Sequence, residues 1–265
     1  MGDTQRVALI SGASRGIGAA TARELGRRGY HVIVNYRGSA DAAAAVVNGI
    51  EADGGTAQAV QADVCAADQV DALVDAVHGE HGRIDALVCN ANTAQPPFEP
   101  LAALSWESFA AKVNGELSGV FFLTQRVLAI MKEQRAGRIV YVSSTAADTL
   151  GGSIAHSTAK AALNTFSRHI AGEAGRYGIT VNAVAPGAVD TDATAGVFND
   201  GLRQYLKERS VFDRLLKPED LGRAIALVAD DGFGAATGQV IRVDGGLDVL
   251  AQKLARTGDR ISGDD

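Results

Sequence analysis

Little cysteine, no surplus of positive charge and no long hydrophobic run mark this chain, and each shortage removes a class of protein. Cys65 and Cys89 are the only cysteines in 265 residues. Two cysteines can bridge, but both fall near the ends of strand-like runs in a chain that reads as cytoplasmic, so two reduced thiols are expected rather than a disulfide framework. Lys and Arg number 25 against 31 Asp and Glu, a net charge of −6 with no basic block. That balance argues against nucleic acid or an anionic membrane surface as the main partner. No apolar run reaches the length of a membrane span. The first residues, Met1-Gly2-Asp3-Thr4-Gln5-Arg6, lack the apolar stretch of a signal peptide. The histidines His31, His78, His81, His156 and His169 show no paired ligand spacing, and no metal site is expected.

What the chain does have is 46% hydrophobic and 21% charged residues, an ordinary globular composition. Apolar runs of strand length alternate with helix-length amphipathic stretches. Strands are expected at Val7-Ala8-Leu9-Ile10, Val32-Ile33-Val34-Asn35, 57–61, Ala86-Leu87-Val88-Cys89, 138–142, 180–184 and 239–243. Helices are expected at 16–28, 40–52, 69–77, 106–134 and 155–177. The strands are continuously apolar rather than alternating, which means burial on both faces and a parallel sheet covered by helices. Right-handed crossovers then give a doubly wound α/β sheet of Rossmann type, three layers deep. No linker or repeat marks a second domain, so one domain is expected over 1–250. The polar tail 251–265 either frays or packs on a neighbouring subunit.

Ser11-Gly12-Ala13-Ser14-Arg15-Gly16-Ile17-Gly18 lies between the first strand and the first helix. Glycines there let a backbone approach phosphate closely, and the helix start turns its free N–H groups toward a pyrophosphate. A purely structural turn would explain Gly12 and Gly16 as well, but the strand–turn–helix–strand context favours a dinucleotide. The spacing Gly-x-x-x-Gly-x-Gly resembles that of the short-chain dehydrogenases/reductases, and from here the resemblance covers almost the whole chain. Asp63-Val64 resembles the family's adenine-contacting pair. Asn90-Ala91-Asn92 resembles its Asn-Ala-Gly motif, with Asn92 in place of glycine. Pro186-Gly187 and Thr191 resemble the segment that holds the nicotinamide carboxamide, and Val243-Asp244-Gly245-Gly246 its C-terminal signature. Among members, the chain is most similar to bacterial 3-oxoacyl-(acyl carrier protein) reductases. A carboxylate at the end of the second strand would bind the ribose 2′-hydroxyl and repel a 2′-phosphate. This chain has Asn35-Tyr36-Arg37 there, with Arg15 on the same side. Two guanidiniums suit a phosphate, so NADP(H) is expected over NAD(H); the ordinary alternative is that Arg37 is a solvated surface charge.

The resemblance implies a catalytic Asn, Ser, Tyr and Lys. Ser144 fits the serine that bonds the substrate oxygen, ahead of its neighbour Ser143. Lys160 fits the lysine that holds the nicotinamide ribose; its flanking Ala159, Ala161 and Ala162 make an apolar setting where a lysine needs a reason. The tyrosine, four residues before the lysine, is replaced by His156. An imidazole titrates near neutrality without help, yet it is shorter than a phenol, and nearby positive charge favours its neutral form. Its readings, a proton carrier or a polar filler, stand side by side. Aligning on Gly119-Val120-Phe121 puts Glu116 at the asparagine position. Asn114, two residues earlier, is turned by about 200° on a helix. Glu116 is expected to pair with Lys160, or with His156, where it would raise the histidine's pKa.

On the substrate side, Val197, Phe198, Leu202, Tyr205 and Leu206 form an apolar stripe at helical spacing. Gln95-Pro96-Pro97-Phe98 and Leu150-Gly151-Gly152 are expected at the opposite rim. The resemblance implies an NADP(H)-dependent reductase of a small-molecule carbonyl, ketoacyl, polyketide-like or cyclic, with the substrate free or bound to a carrier protein. Two other readings stand beside it: a non-redox cyclase, dehydratase or isomerase, and a cofactor-binding protein without turnover. A homodimer or homotetramer is expected through the two long helices, with Ala161, Ala162, Ala171 and Ala174 suiting close packing.

Overall fold

The computed structural model describes residues 5–149, 152–195, 198–247 and 249. The tail 251–265 lies outside the described residues. Seven strands form one parallel sheet: β1 (Val7–Ile10), β2 (His31–Tyr36), β3 (Thr56–Gln61), β4 (Ala86–Cys89), β5 (Gly137–Val142), β6 (Ile179–Pro186) and β7 (Val240–Val243). Their order is β3-β2-β1-β4-β5-β6-β7. The inner strands β1, β4 and β6 are buried at every position, as continuous apolar runs require. The edge strand β3 is not; its Gln58, Val60 and Gln61 reach partial or full exposure.

The helices are α1 (Gly16–Arg27), α2 (Ala40–Ala52), α3 (Ala67–His81), α4 (Trp106–Gln134), α5 (Ile154–Ala174), α6 (Asp192–Ala195), α7 (Asp200–Arg209) and α8 (Pro218–Val228). Alternate strand residues serve opposite faces. Val7 and Leu9 join Val74, Leu123 and Leu163 of α3, α4 and α5 in one core. Ala8 and Ile10 join Leu25, Val46 and Ile225 of α1, α2 and α8 in the other. The result is the expected three-layer, doubly wound sheet in a single domain. The sequence reading did not name α8, whose proline at the helix start and apolar Leu221, Ile225 and Val228 mark it. The fifth expected helix ends three residues early, where a 3-10 turn, Gly175–Tyr177, takes over.

Two expectations about surfaces are corrected. Ala171 and Ala174 face the chain's own core and are buried there, so among the four alanines only Ala161 is exposed and Ala162 half-buried. The stripe over 197–206 is not a buried helix face: α7 begins only at Asp200 and buries no residue, and Leu202 and Tyr205 are exposed. Val197 lies outside the described residues.

Candidate active site

In a parallel sheet all carboxyl ends lie on one edge, and the crevice opens where the strand order reverses, here between β1 and β4. The loops leaving β1, β2, β3, β4, β5 and β6 line one cavity of about 910 Å³ at that edge. Gly12, Ser14, Arg15, Gly16 and Ile17 line it from the first turn; Asn35, Tyr36 and Arg37 from the second strand end; Asp63 and Val64 from the third; Asn90 and Ala91 from the fourth. Ser144, His156, Lys160, Pro186, Gly187 and Thr191 complete the wall. Thus every expected cofactor residue lines the cavity except Gly18.

Gly18 is a packing residue. A Cβ there would stand 2.4 Å from Gly12 O and 2.5 Å from Asn90 Nδ2. Asn90 itself ties the turn, its Nδ2 donating to the carbonyls of Ser11 and Gly12 at 3.1 and 3.0 Å. Ser11 Oγ accepts from the backbone of Asn90 and Ala91, a locking contact the sequence reading passed over. Gly12 has φ +61°, and a Cβ on it would meet Ala91 Cα at 2.8 Å. Gly16, also at positive φ, has only Thr191 within 4 Å, so open space lies over the start of α1. The residue before α1, Arg15, makes no side-chain cap, which leaves the first N–H groups free for an anion. This cradle fits a dinucleotide pyrophosphate.

Beside it, Arg15 donates to Ser39 Oγ at 2.6 Å, and the Arg37 guanidinium lies 4.0 Å from Asp63. Both arginines line the cavity, where no carboxylate stands at the end of β2. Asn35 is buried, with its amide spent on the carbonyls of Val60 and Ala62; it shapes the wall rather than offering a donor. On the nicotinamide side, Gly187 backs against Asp244, 2.7 Å from where a Cβ would sit. The contact joins the loop after β6 to the Asp244-Gly245-Gly246 segment after β7.

The catalytic candidates sit on the loop after β5, on α5 and on α4. The loop after β5 sorts the two serines. Ser143 is buried and donates to Asn164 Oδ1 at 2.6 Å. Ser144 Oγ accepts from Ala146 N–H at 3.1 Å, which keeps its own O–H for a ligand. Ser153 caps α5 by accepting from His156 N–H, so His156 lies in the first turn and Lys160 one turn later on the same face. His156 Nδ1 is buried without a hydrogen-bond partner. Burial, then Lys160 and Lys112, push the imidazole down to about 4 against the opposing pull of Glu116.

Glu116 does not pair with that imidazole. Its Oε1 accepts from Lys160 Nζ and its Oε2 from Lys112 Nζ at 2.9 Å. Burial favours the neutral acid, but Lys160 and Lys112 outweigh it and hold the carboxyl at about 2. Of the two expected partners Lys160 is the one found; the rise in the histidine's pKa, expected only of a pairing with His156, does not follow, because two cations neutralise the carboxylate. Glu116 also lines none of the cavity; it stands behind Lys160 and positions it rather than touching a reacting atom. Lys160 gives a second proton to Val142 O at 2.7 Å. An ammonium has three, so one remains for the cavity. Lys112 was missed by the sequence reading. Its signal was a charged i, i+4 pair, Lys112 and Glu116, on the otherwise apolar row of α4 that continues through Val120, Leu123 and Val127.

On the rim, Gln95, Pro96, Phe98, Gly152 and Phe198 line the cavity, whereas Leu202, Tyr205 and Leu206 do not. Leu150 and Gly151 lie outside the described residues. Among the described residues no cluster of His, Cys, Asp or Glu suits a metal, both cysteines are free, and no helix is long and apolar enough to cross a membrane.

Comparison with known proteins agrees with this geometry. The family described as enoyl-(acyl carrier protein) reductase matches residues 12–248. A 3-oxoacyl-[acyl-carrier-protein] reductase of Synechocystis sp. is 40% identical over 247 residues, 92% of this chain and 97% of that protein. The 3-oxoacyl-[acyl-carrier-protein] reductase FabG of Staphylococcus epidermidis is 36% identical over 242 residues, 91% and 98% of the two chains. The crystal structure of gox2181 superposes with a TM-score of 0.88 at 27% identity, covering 93% of this chain and 97% of that one. Matched over residues 12–248 by the family model and along nearly its whole length by reductases of nearly the same span, the chain belongs to the short-chain dehydrogenase/reductase family.

Proposed function

We propose that this protein is an NADP(H)-dependent carbonyl reductase with an altered proton-transfer site. The observation that carries the reading is that Ser144, His156 and Lys160 line the same cavity as the glycine turn and the two arginines. Arg15 and Arg37 favour a 2′-phosphate, since charge-assisted bonds from guanidinium to phosphate are strong and no carboxylate at the end of β2 opposes them. NADPH, held by the glycine turn, Arg15, Arg37 and the Pro186–Thr191 loop, would supply the hydride that the carbonyl carbon takes up. Ser144 donates its free O–H to the substrate oxygen and orients the carbonyl. Lys160 offers its remaining proton to the ribose and, with Glu116 behind it, fixes a positive charge beneath the site. As the C=O π pair moves to oxygen, that oxygen takes a proton from His156, directly or through one water. The relatives' names refer to acyl chains on a carrier protein, and the apolar rim of Pro96, Phe98 and Phe198 supports an acyl, polyketide-like or cyclic ketone. We further propose a cytoplasmic homo-oligomer.

The test is NADPH and NADH oxidation against a panel of β-ketoacyl thioesters and cyclic ketones. Wild type should turn over with NADPH preferred, and His156→Ala should lose about 100-fold or more, the size of a general-acid contribution. If wild type binds NADPH yet reduces nothing, while His156→Tyr gains activity, the reductase reading fails and non-redox acid–base chemistry takes its place.

A further inference from the structure

We propose that Lys112 is a positioning residue of this site, a buried cation that clamps Glu116 from the side opposite Lys160 and ties both to the substrate wall. The inference deepens the reductase reading and rests on it for the meaning of the site and for the kinetic arm of its test, though not for the titration.

Lys112 is 1% exposed, one of the largest fully buried side chains of the described residues. A buried ammonium is tolerated only when its protons are matched. All three are: Nζ donates to Asn92 Oδ1 at 2.7 Å, Ala94 O at 3.1 Å and Glu116 Oε2 at 2.9 Å. With no proton left over and no part in the cavity lining, Lys112 cannot bind ligand. It joins two things that do. One is the loop after β4, whose Asn92, Thr93, Gln95 and Pro96 line the cavity. The other is Lys160, reached through the second carboxylate oxygen of Glu116. Close packing reinforces the link: a Cβ on Gly115 would fall 2.8 Å from Thr93 Oγ1.

The charge count gives the clamp a chemical consequence. Lys112 and Lys160 against Glu116 leave one net positive charge beside His156. The charged groups bearing on that imidazole are Lys160 on its own helix and Lys112 and Glu116 on α4. Glu116 with Lys160 alone would be a neutral pair, and Lys112 is what keeps the neighbourhood cationic. It therefore biases His156 toward the neutral imidazole, while holding the loop that carries Asn92 where the substrate wall needs it. Asn92 and Glu116 both depart from the residues the family pattern places there, and Lys112 is the side chain that touches both.

The experiment is an NMR titration of His156 in the full-length protein, followed through its ring resonances. In Lys112→Met the midpoint should rise by about one pH unit, the scale of removing a nearby like charge. Lys112→Gln should behave alike and serves if the methionine variant does not fold. Asn92→Ala keeps the charge but cuts the wall contact. It should leave the midpoint in place and lower kcat/KM several-fold for ketone, with the affinity for NADPH unchanged. A folded Lys112→Met or Lys112→Gln with an unmoved midpoint overturns the proposal. So does an Asn92→Ala protein with unaltered kcat/KM. The titration is readable without turnover, so failure of the reductase reading and failure of this one are separate results.

Discussion

His156 is where this chain parts from the family pattern, and its surroundings decide what it can do. With the imidazole held at about 4, roughly one site in a thousand carries a donatable proton at pH 7. Reduction through His156 should then quicken as pH falls from 7 toward about 4, while alcohol oxidation, which needs the neutral base, should be level above about pH 5. Initial rates in both directions over pH 4–8 check this; a reduction rate that falls on acidification rules out imidazolium as the donor. The same shift has a stability sign. The folded pKa lies below the ordinary value of 6.5, so the unfolded chain binds the extra proton first. The neutral site costs nothing above about pH 6.5, and stability is lost as pH falls from there through about 4. Denaturant midpoints of His156→Gln should not show that loss. A separate loss belongs to Glu116, whose ion pairs weaken only as pH falls from about 4.5 toward 2. Much of this site was legible in the chain, because Ser144, His156 and Lys160 stand at fixed spacings on one loop and one helix. Lys112 was not, because a lysine in a helix reads as solvated until its neighbours are known. The direction of the histidine's shift was foreseen from nearby positive charge, and of the two partners left open for Glu116 the structure takes Lys160.

At the scale of elements, sequence pattern and structure agree where a helix or strand is set by continuous burial and diverge where packing decides. The strands β1, β4 and β6 show their burial in unbroken apolar runs. The apolar stripe read over 197–206, between β6 and β7, marks no buried face: α6 has four residues and α7 buries none, so neither needs one. Glycines show the same division. Gly12 and Gly16 serve the open cradle, but Gly18 lies inside α1, where its bare backbone admits the Gly12 carbonyl and the Asn90 amide. Gly18→Ala would drive a methyl into both. The helix gains propensity, yet overpacking against backbone costs about 1–3 kcal/mol. The variant should melt several degrees lower and bind NADPH more weakly, because the turn that holds Gly12 must shift. Unchanged melting and affinity in Gly18→Ala would mean that the turn relaxes freely.

For the whole molecule, the sheet directs every functional loop to one edge and leaves the outer faces of α4 and α5 to be accounted for. These two helices pack against one core through Leu123, Val127 and Leu163. Their far sides keep apolar groups in solvent: Phe121 is 46% exposed, Ile154 41% and Trp106 72%. A side chain such as Phe121 gains its transfer free energy only if a second surface covers it. Ala161 on the exposed side of α5 allows that surface to come close. A second copy of the chain is the partner proposed above, since one self-complementary face closes a twofold pair. Ser153 caps α5 and His156 and Lys160 belong to it, so pairing through this helix would stiffen the element that aligns the site. Sedimentation at 10 µM should then give two or four times 27.3 kDa. Phe121→Glu, which places a charge in the middle of such a contact, should shift the protein to monomer and lower its turnover along with its stability. A wild-type chain that sediments as a monomer at that concentration would leave α5 to be held by its own core alone, and Phe121→Glu would then be expected to act as an ordinary surface change of under about 0.5 kcal/mol.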